Sequence, residues 1–175
     1  MLDRVLGAGS ALELGSGTGA LSGMVSRWAS HCCSVDIDRA VIRSARLSHD
    51  RLGARGSFVQ GDGFALPFRD QAFDVSFSQG LLEHFSDEDV TRLLREQMRV
   101  SARVLASIPT RSYPHIGTRG PGLIGNERLL PPDEWRRLAA PLGGRVTAYR
   151  DPKVFQIAGV ALGPRNHALI EIERR

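Results

Sequence analysis

Cysteine is scarce in this chain: there are two, Cys32 and Cys33, and they are adjacent. In an extended segment neighbouring side chains point to opposite faces, which argues against a mutual disulfide and against a metal pair. Two buried, reduced thiols are the expectation. Long apolar runs are missing as well, and none approaches the roughly 20 residues needed to cross a bilayer. Residues 1–9 carry Asp3 and Arg4 and lack the apolar stretch of a secretory signal, so the expected location is cytoplasmic. Lysine is nearly absent, with Lys153 alone among 23 basic residues, and the formal charge of +4 gives a weak bias toward an anionic partner. Repeats and low-complexity tracts are also missing. What remains, 175 residues of which 42% are hydrophobic, fits one domain with its own core.

Along the chain, strands alternate with helices. Ser10 to Leu14 is a short apolar run that stops at the glycine turn Gly15-Ser-Gly-Thr-Gly19, and Leu21, Met24, Val25 and Trp28 then recur at helical spacing. Cys32 to Ile37 reads as a second strand, followed by a helix over Ala40 to Leu52 with Val41, Ala45 and Leu52 inward. Ser57 to Gln60 and Phe73 to Phe77 are the next strands. Ser86 and Asp89 form a capping box that opens a helix to Ser101, with Val90, Leu93, Leu94 and Met98 on one face. Val104 to Ile108 is a fifth strand. Pro131 to Glu134 opens a helix running to about Leu142, and Arg145 to Tyr149 and Ala168 to Ile172 are late strands. Such alternation implies an α/β fold with a mostly parallel sheet covered on both faces. The one long irregular stretch is Pro109 to Leu130, of a length that is usually functional or disordered.

Ligands of such sheets bind beyond the carboxyl ends of the strands, where the strand order reverses. Glycines at 15, 17 and 19 let the backbone turn sharply and approach a ligand closely. Gly15, Gly17 and Ala20 also satisfy a dinucleotide pattern, so the turn alone does not choose a ligand. Glu13, at the end of the first strand, would repel a pyrophosphate and attract an ammonium or sulfonium group. Asp36 ends the second strand, where a carboxylate accepts both hydroxyls of a ribose. Asp38 reads as the N-cap of the helix that follows.

The third segment, Gln60-Gly-Asp-Gly-Phe-Ala-Leu-Pro-Phe68, makes the pattern specific. With it, the stretch from Ala11 to Ser107 resembles the Rossmann-like (class I) S-adenosylmethionine-dependent methyltransferases, in particular those acting on small molecules. Ala11-Leu-Glu-Leu-Gly-Ser-Gly-Thr-Gly19 is similar to that family's first motif, Val35-Asp36 to its ribose-binding acid, and Gly61-Asp-Gly63 to its adenine-edge segment. Phe73 to His84 is similar to its fourth-strand motif. The resemblance implies a single three-layer domain with a seven-stranded sheet whose last strand is antiparallel. Its cofactor core would span about 10–108, with a substrate-side loop over about 109–130 and a C-terminal part over 131–175. It implies S-adenosyl-L-methionine as cofactor, with Glu13, Gly15, Ser16, Gly17 and Gly19 along the methionine part and Asp36 and Ile37 at the ribose. Asp62, Gly63 and Phe64 would hold the adenine, and Gln79 would lie near the methyl.

Two departures matter. Relatives usually carry a helical segment before the first motif, and here about nine residues precede it, which leaves the pocket either open or closed by Pro109 to Leu130, the expected lid. Some metal-binding relatives read Glu-x-x-Glu-His after the fourth strand, whereas Gly80 replaces the first acid here. With Glu83 and His84 alone, no metal is expected. His84 is the candidate general base for an acceptor that must lose a proton. Tyr113, His115 and Arg119 are the candidate substrate contacts. The expected partner is a small-molecule methyl acceptor, with a homodimer left open and the apolar Val154 to Leu162 stretch read as core packing, a strand or a dimer contact. Two other classes stay open: a nucleic-acid-modifying enzyme and a cofactor-binding subunit without activity. The rows Arg92, Arg95, Arg99, Arg103 and Arg39, Arg43, Arg46 read better as solvated faces than as a nucleic-acid groove, since no aromatics interleave with them.

Overall fold

The computed structural model describes residues 2–5, 7–113, 127–150 and 166–174. Strands β1 (Ser10–Leu14), β2 (His31–Asp36), β3 (Ser57–Gln60), β4 (Phe73–Gln79), β5 (Ser101–Pro109), β6 (Arg145–Tyr149) and β7 (His167–Glu173) form one sheet in the order β3-β2-β1-β4-β5-β7-β6. The pairs from β3 through β5 are parallel, while β7 runs antiparallel to both β5 and β6. The chain winds outward from β1 to β3 and then returns to β4 on the other side of β1. The order therefore reverses between β1 and β4, which opens a crevice at their carboxyl ends.

Strand alternation divides the core. Leu12, Leu14, Cys33 and Val35 pack under α4 (Asp87–Val100) and α5 (Pro132–Ala139) with Leu94 and Trp135. Ala11, Cys32, Val75 and Phe77 pack on the other face with Val25 of α2 (Ala20–Val25). Adjacent Cys32 and Cys33 thus lie in different layers as free, buried thiols. Burial, with smaller contributions from Glu13 and Cys33, pushes the Cys32 thiol up to about 12.

Several helices differ from the sequence reading. Helix α2 is six residues long and buries Ser22, Gly23 and Val25, whereas Met24 and Trp28 are exposed. It docks closely through small residues, and of the apolar stripe expected there Leu21 and Val25 pack on the core while Met24 and Trp28 do not. In α3 (Arg39–Leu52) the inward residues are Ile42, Ala45 and His49, so Ala45 faces inward as expected while Val41 and Leu52 do not. The reason is steric: Ala45 and His49 meet the glycines of residues 19–23. Asp38 caps α3 through Ala40 N at 2.7 Å, and Ser86 caps α4 through Asp89 N at 3.2 Å, both as expected. Helix α5 stops at Ala139 and tightens into a 3-10 turn over Ala140–Leu142, where Pro141 has no N–H to continue the helix. A short helix α1 (Leu2–Val5) precedes β1, and no described helix is long and apolar enough to cross a membrane. His115, Arg119 and Val154 to Leu162 lie outside the described residues, as does most of the expected lid.

Candidate functional site

A cleft of about 220 Å³ sits at the carboxyl ends of β1, β2 and β3, where the reversed strand order places it. Backbone bonds bring the three strand ends together: Gly15 N donates to Val35 O at 2.9 Å and Gly61 N to Asp36 O at 3.0 Å. One wall carries Gly15, Asp36, Ile37, Asp62, Gly63 and Phe64, so six of the expected site residues meet in one place. The remaining lining is almost wholly apolar. Leu14 and Val35 form the floor, and Leu81, Phe85 and Leu93 come from β4's exit and from α4.

Each carboxylate of the cleft is held by its own loop. Asp36 Oδ1 accepts from Asp38 N at 3.0 Å, and Asp62 Oδ1 accepts from Phe64 N at 2.9 Å. Phe64 meets Phe85 edge-on at 5.6 Å, and the Arg92 guanidinium lies 4.6 Å from the Phe64 ring centre. The result is a narrow apolar slot with one acid on the β2 loop and one on the β3 loop. That arrangement suits a flat, apolar-faced ring with hydrogen-bonding edges.

The glycine turn is tight. Gly15 has φ +75°, and a Cβ there would lie 3.1 Å from Leu81 Cδ1, whereas a Cβ on Gly17 would meet nothing within 4 Å. Ser16 Oγ, between them, is buried without a hydrogen-bond partner. Ser16, Gly17 and Gly19 continue from the cleft along the turn and do not line it.

Glu13 is placed differently from the expectation. The two-residue period of β1 sends Leu14 to the cleft and turns Glu13 under α2, where it is 4% exposed and accepts from Ser34 Oγ at 3.1 Å and from Ser22. Burial raises its carboxyl to about 7, with the two serines pulling the other way and Asp36 adding to the rise. Gln79 ends β4 and is exposed outside the cleft lining. His84 closes the 3-10 turn Leu82–His84 and is half-buried, also outside the lining. Tyr113 lies edge-on to His167 at 5.5 Å, and His167 stacks on Tyr149 at 5.3 Å. These rings gather near the carboxyl end of β5, on the same sheet edge as the cleft.

Sequence reading passed over Leu81, Phe85 and Leu93, although the first two flank the Leu82-Glu83-His84 turn directly after a strand at the reversal point. It also passed over Glu83 as an ionisable group in its own right. Glu83 is 2% exposed, its Oε2 has no hydrogen-bond partner, and burial raises its carboxyl to about 7. Among the described residues no three His, Cys, Asp or Glu side chains converge to hold a metal. The two arginine rows occupy opposite sides of the sheet: α3 packs on α2, while α4 packs on the other layer. Arg92 pairs with Asp89 and Arg99 with Asp70 and Glu96.

Comparison with known proteins agrees with this geometry. The chain is 31% identical over 93 residues to the demethylmenaquinone methyltransferase of Roseiflexus castenholzii, covering 53% of this chain and 38% of that protein. It spans under half the length of the curated relatives it matches. The YcgJ protein of Bacillus subtilis has the same fold, with a TM-score of 0.71 at 18% identity over 100% of this chain and 97% of that one. So does the phosphoethanolamine N-methyltransferase 1 of Haemonchus contortus, solved with phosphoethanolamine and S-adenosylhomocysteine, with a TM-score of 0.74 at 16% identity over 97% of this chain and 40% of that one. The methyltransferase domain model matches residues 11–103, more than half of the chain and the whole span from the glycine turn to β5, so this chain belongs to the methyltransferase domain family.

Proposed function

We propose that the chain is an S-adenosylmethionine-dependent enzyme that moves a methyl group to an oxygen, nitrogen or carbon nucleophile of a small molecule. The observation that carries this reading is the slot in which Asp36 and Asp62 stand on neighbouring strand-end loops against Leu14, Phe64 and Leu93. In this reading Asp36 accepts from the ribose hydroxyls and Asp62 from the adenine amino group. The ring lies between Phe64 and the aliphatic floor, and Gly15 to Gly19 carry the methionine end, with the unpartnered Ser16 hydroxyl as one available group. When bound, the cofactor supplies an electrophilic methyl on a positively charged sulfur.

The work left to the protein is alignment, because in-line displacement needs acceptor, methyl and sulfur near contact distance on one axis. The slot fixes one end of that axis. Gln79, His84, Glu83 and the Tyr113, Tyr149, His167 group stand along the same sheet edge, where an acceptor would approach. A base is required only for an acceptor that must lose a proton. His84 is the proposed base, and the buried carboxyl of Glu83 is a second group able to take a proton.

Calorimetry against S-adenosylmethionine, S-adenosylhomocysteine and NAD tests the reading. Binding of the two adenosyl-sulfur ligands with little response to NAD is expected, and binding of NAD alone would overturn it.

A further inference from the structure

His49 stands far along the sequence from the glycine turn and yet is built into it. It lies on α3, 2% exposed, with Nε2 at 2.9 Å from Gly19 O and at 3.1 Å from Ser22 Oγ. A carbonyl oxygen can only accept, so Nε2 carries the proton and donates to Gly19 O. The other ring nitrogen, Nδ1, is buried without a hydrogen-bond partner. Three glycines make room for the ring and for Ala45 one turn before it. A Cβ on Gly19 would lie 2.9 Å from Ala45 Cβ, one on Gly23 3.4 Å from His49 Nε2, and one on Gly56 3.0 Å from His49 Cε1. Phe58 closes the cradle edge-on at 4.7 Å.

Gly19 is the hinge of the cofactor turn. It has φ +72°, caps α2, donates to Ser16 O at 2.7 Å, and gives its carbonyl to Gly23 N at 2.9 Å. Ser22, which shares the His49 contact, also bonds Glu13 at the end of β1. The imidazole therefore ties α3 at once to the turn, to the first turn of α2 and, through Ser22, to β1.

We infer that His49 is a positioning residue for the cofactor site, holding Gly15 to Gly19 in the shape that receives the methionine end by fixing the Gly19 carbonyl. This rests on the cofactor reading proposed above. It touches no reacting atom, so its effect must appear in cofactor affinity and must depend on the donor, not on bulk alone.

The experiment compares wild type, His49→Gln and His49→Leu for S-adenosylhomocysteine affinity by calorimetry, with Tm recorded in parallel. Gln returns an N–H donor near the position of Nε2, and Leu fills space without one. Leu should weaken binding about tenfold, in line with one lost buried hydrogen bond, while Gln stays within about threefold even though both lower Tm. Unchanged affinity in folded His49→Leu, or equal losses in Leu and Gln, overturns the inference. If His49→Leu does not fold, Gly56→Ala reads the same contact from behind the ring, where the added methyl displaces the imidazole. A several-fold loss there supports the inference, and unchanged affinity in that folded variant overturns it. Wild type that binds no S-adenosylhomocysteine refutes the cofactor reading first and this one with it.

Discussion

Replacing Glu83 with Gln should stabilise the protein above neutral pH and leave it little changed in acid. The Glu83 carboxyl is buried with one oxygen unpartnered, and burial lifts it from the ordinary 4.5 to about 7, while His84 opposes the rise and Glu127 adds to it. A carboxyl raised in the folded state favours folding fully below its unfolded value and loses that contribution as pH climbs through its folded value. The window is therefore pH 4.5 to 7. At roughly 1.4 kcal/mol per pH unit, the full loss is about 3 kcal/mol, of which about 2.5 kcal/mol falls between pH 5 and pH 8. Gln keeps the shape and is neutral throughout, so it escapes the loss. Urea unfolding of both proteins at pH 5, 6, 7 and 8 reads the effect together with its coupling to His84 and Glu127, because titrating groups that do not interact with Glu83 cancel in the difference between the two curves. Against a typical stability of about 5–15 kcal/mol, a change of this size is readily measured. The variant's advantage should grow from pH 5 to pH 7 and level off toward pH 8. Parallel curves would refute the reasoning and place Glu83 in contact with water or a cation.

Two further outcomes are expected. Asp36→Ala should weaken S-adenosylmethionine binding by about 1.5–3 kcal/mol, the usual worth of charge-assisted hydrogen bonds, and an unchanged dissociation constant in the folded variant would remove Asp36 from the site. Gly19→Ala combines a positive φ with a Cβ 2.9 Å from Ala45, so thermal unfolding should show a loss of at least about 1–3 kcal/mol, while a wild-type Tm would mean the turn relaxes freely.

The sheet was legible because each strand is a short apolar run bounded by a glycine, a proline or a helix cap, and these are local signals. Ser57–Gln60 and Arg145–Tyr149 match the sequence reading end to end. The loops carrying Asp36 and Asp62 were legible for a related reason: a parallel sheet brings successive strand ends to one edge, whatever lies between them. The far wall of the slot was not legible. Leu93 belongs to a helix whose apolar stripe looks the same whether a leucine meets the core or the rim of a cleft. Glu13 was placed beside the ligand because it stands at the end of the first strand, and strand alternation turns its side chain away from the cleft that Leu14 lines. His49 was hidden for a third reason. On α3 it continues the Ile42 and Ala45 stripe, and only the glycines opposite reveal a polar contact.

The place of β7 bears on how the molecule comes together. Strand β7 follows β6 in the chain but lies inside the sheet, between β5 and β6, and among the described strands it is the one that runs against the others. Until His167–Glu173 has left the ribosome, β5 presents an open edge of Val104, Ala106 and Ile108, and β6 has no neighbour to pair with. The side chains from His167 to Ile172 are all buried, so their arrival completes the α5 layer and closes the edge in one step. Strands β1 to β5 can therefore pair during synthesis, while β6 and β7 join the sheet only once His167–Glu173 has emerged.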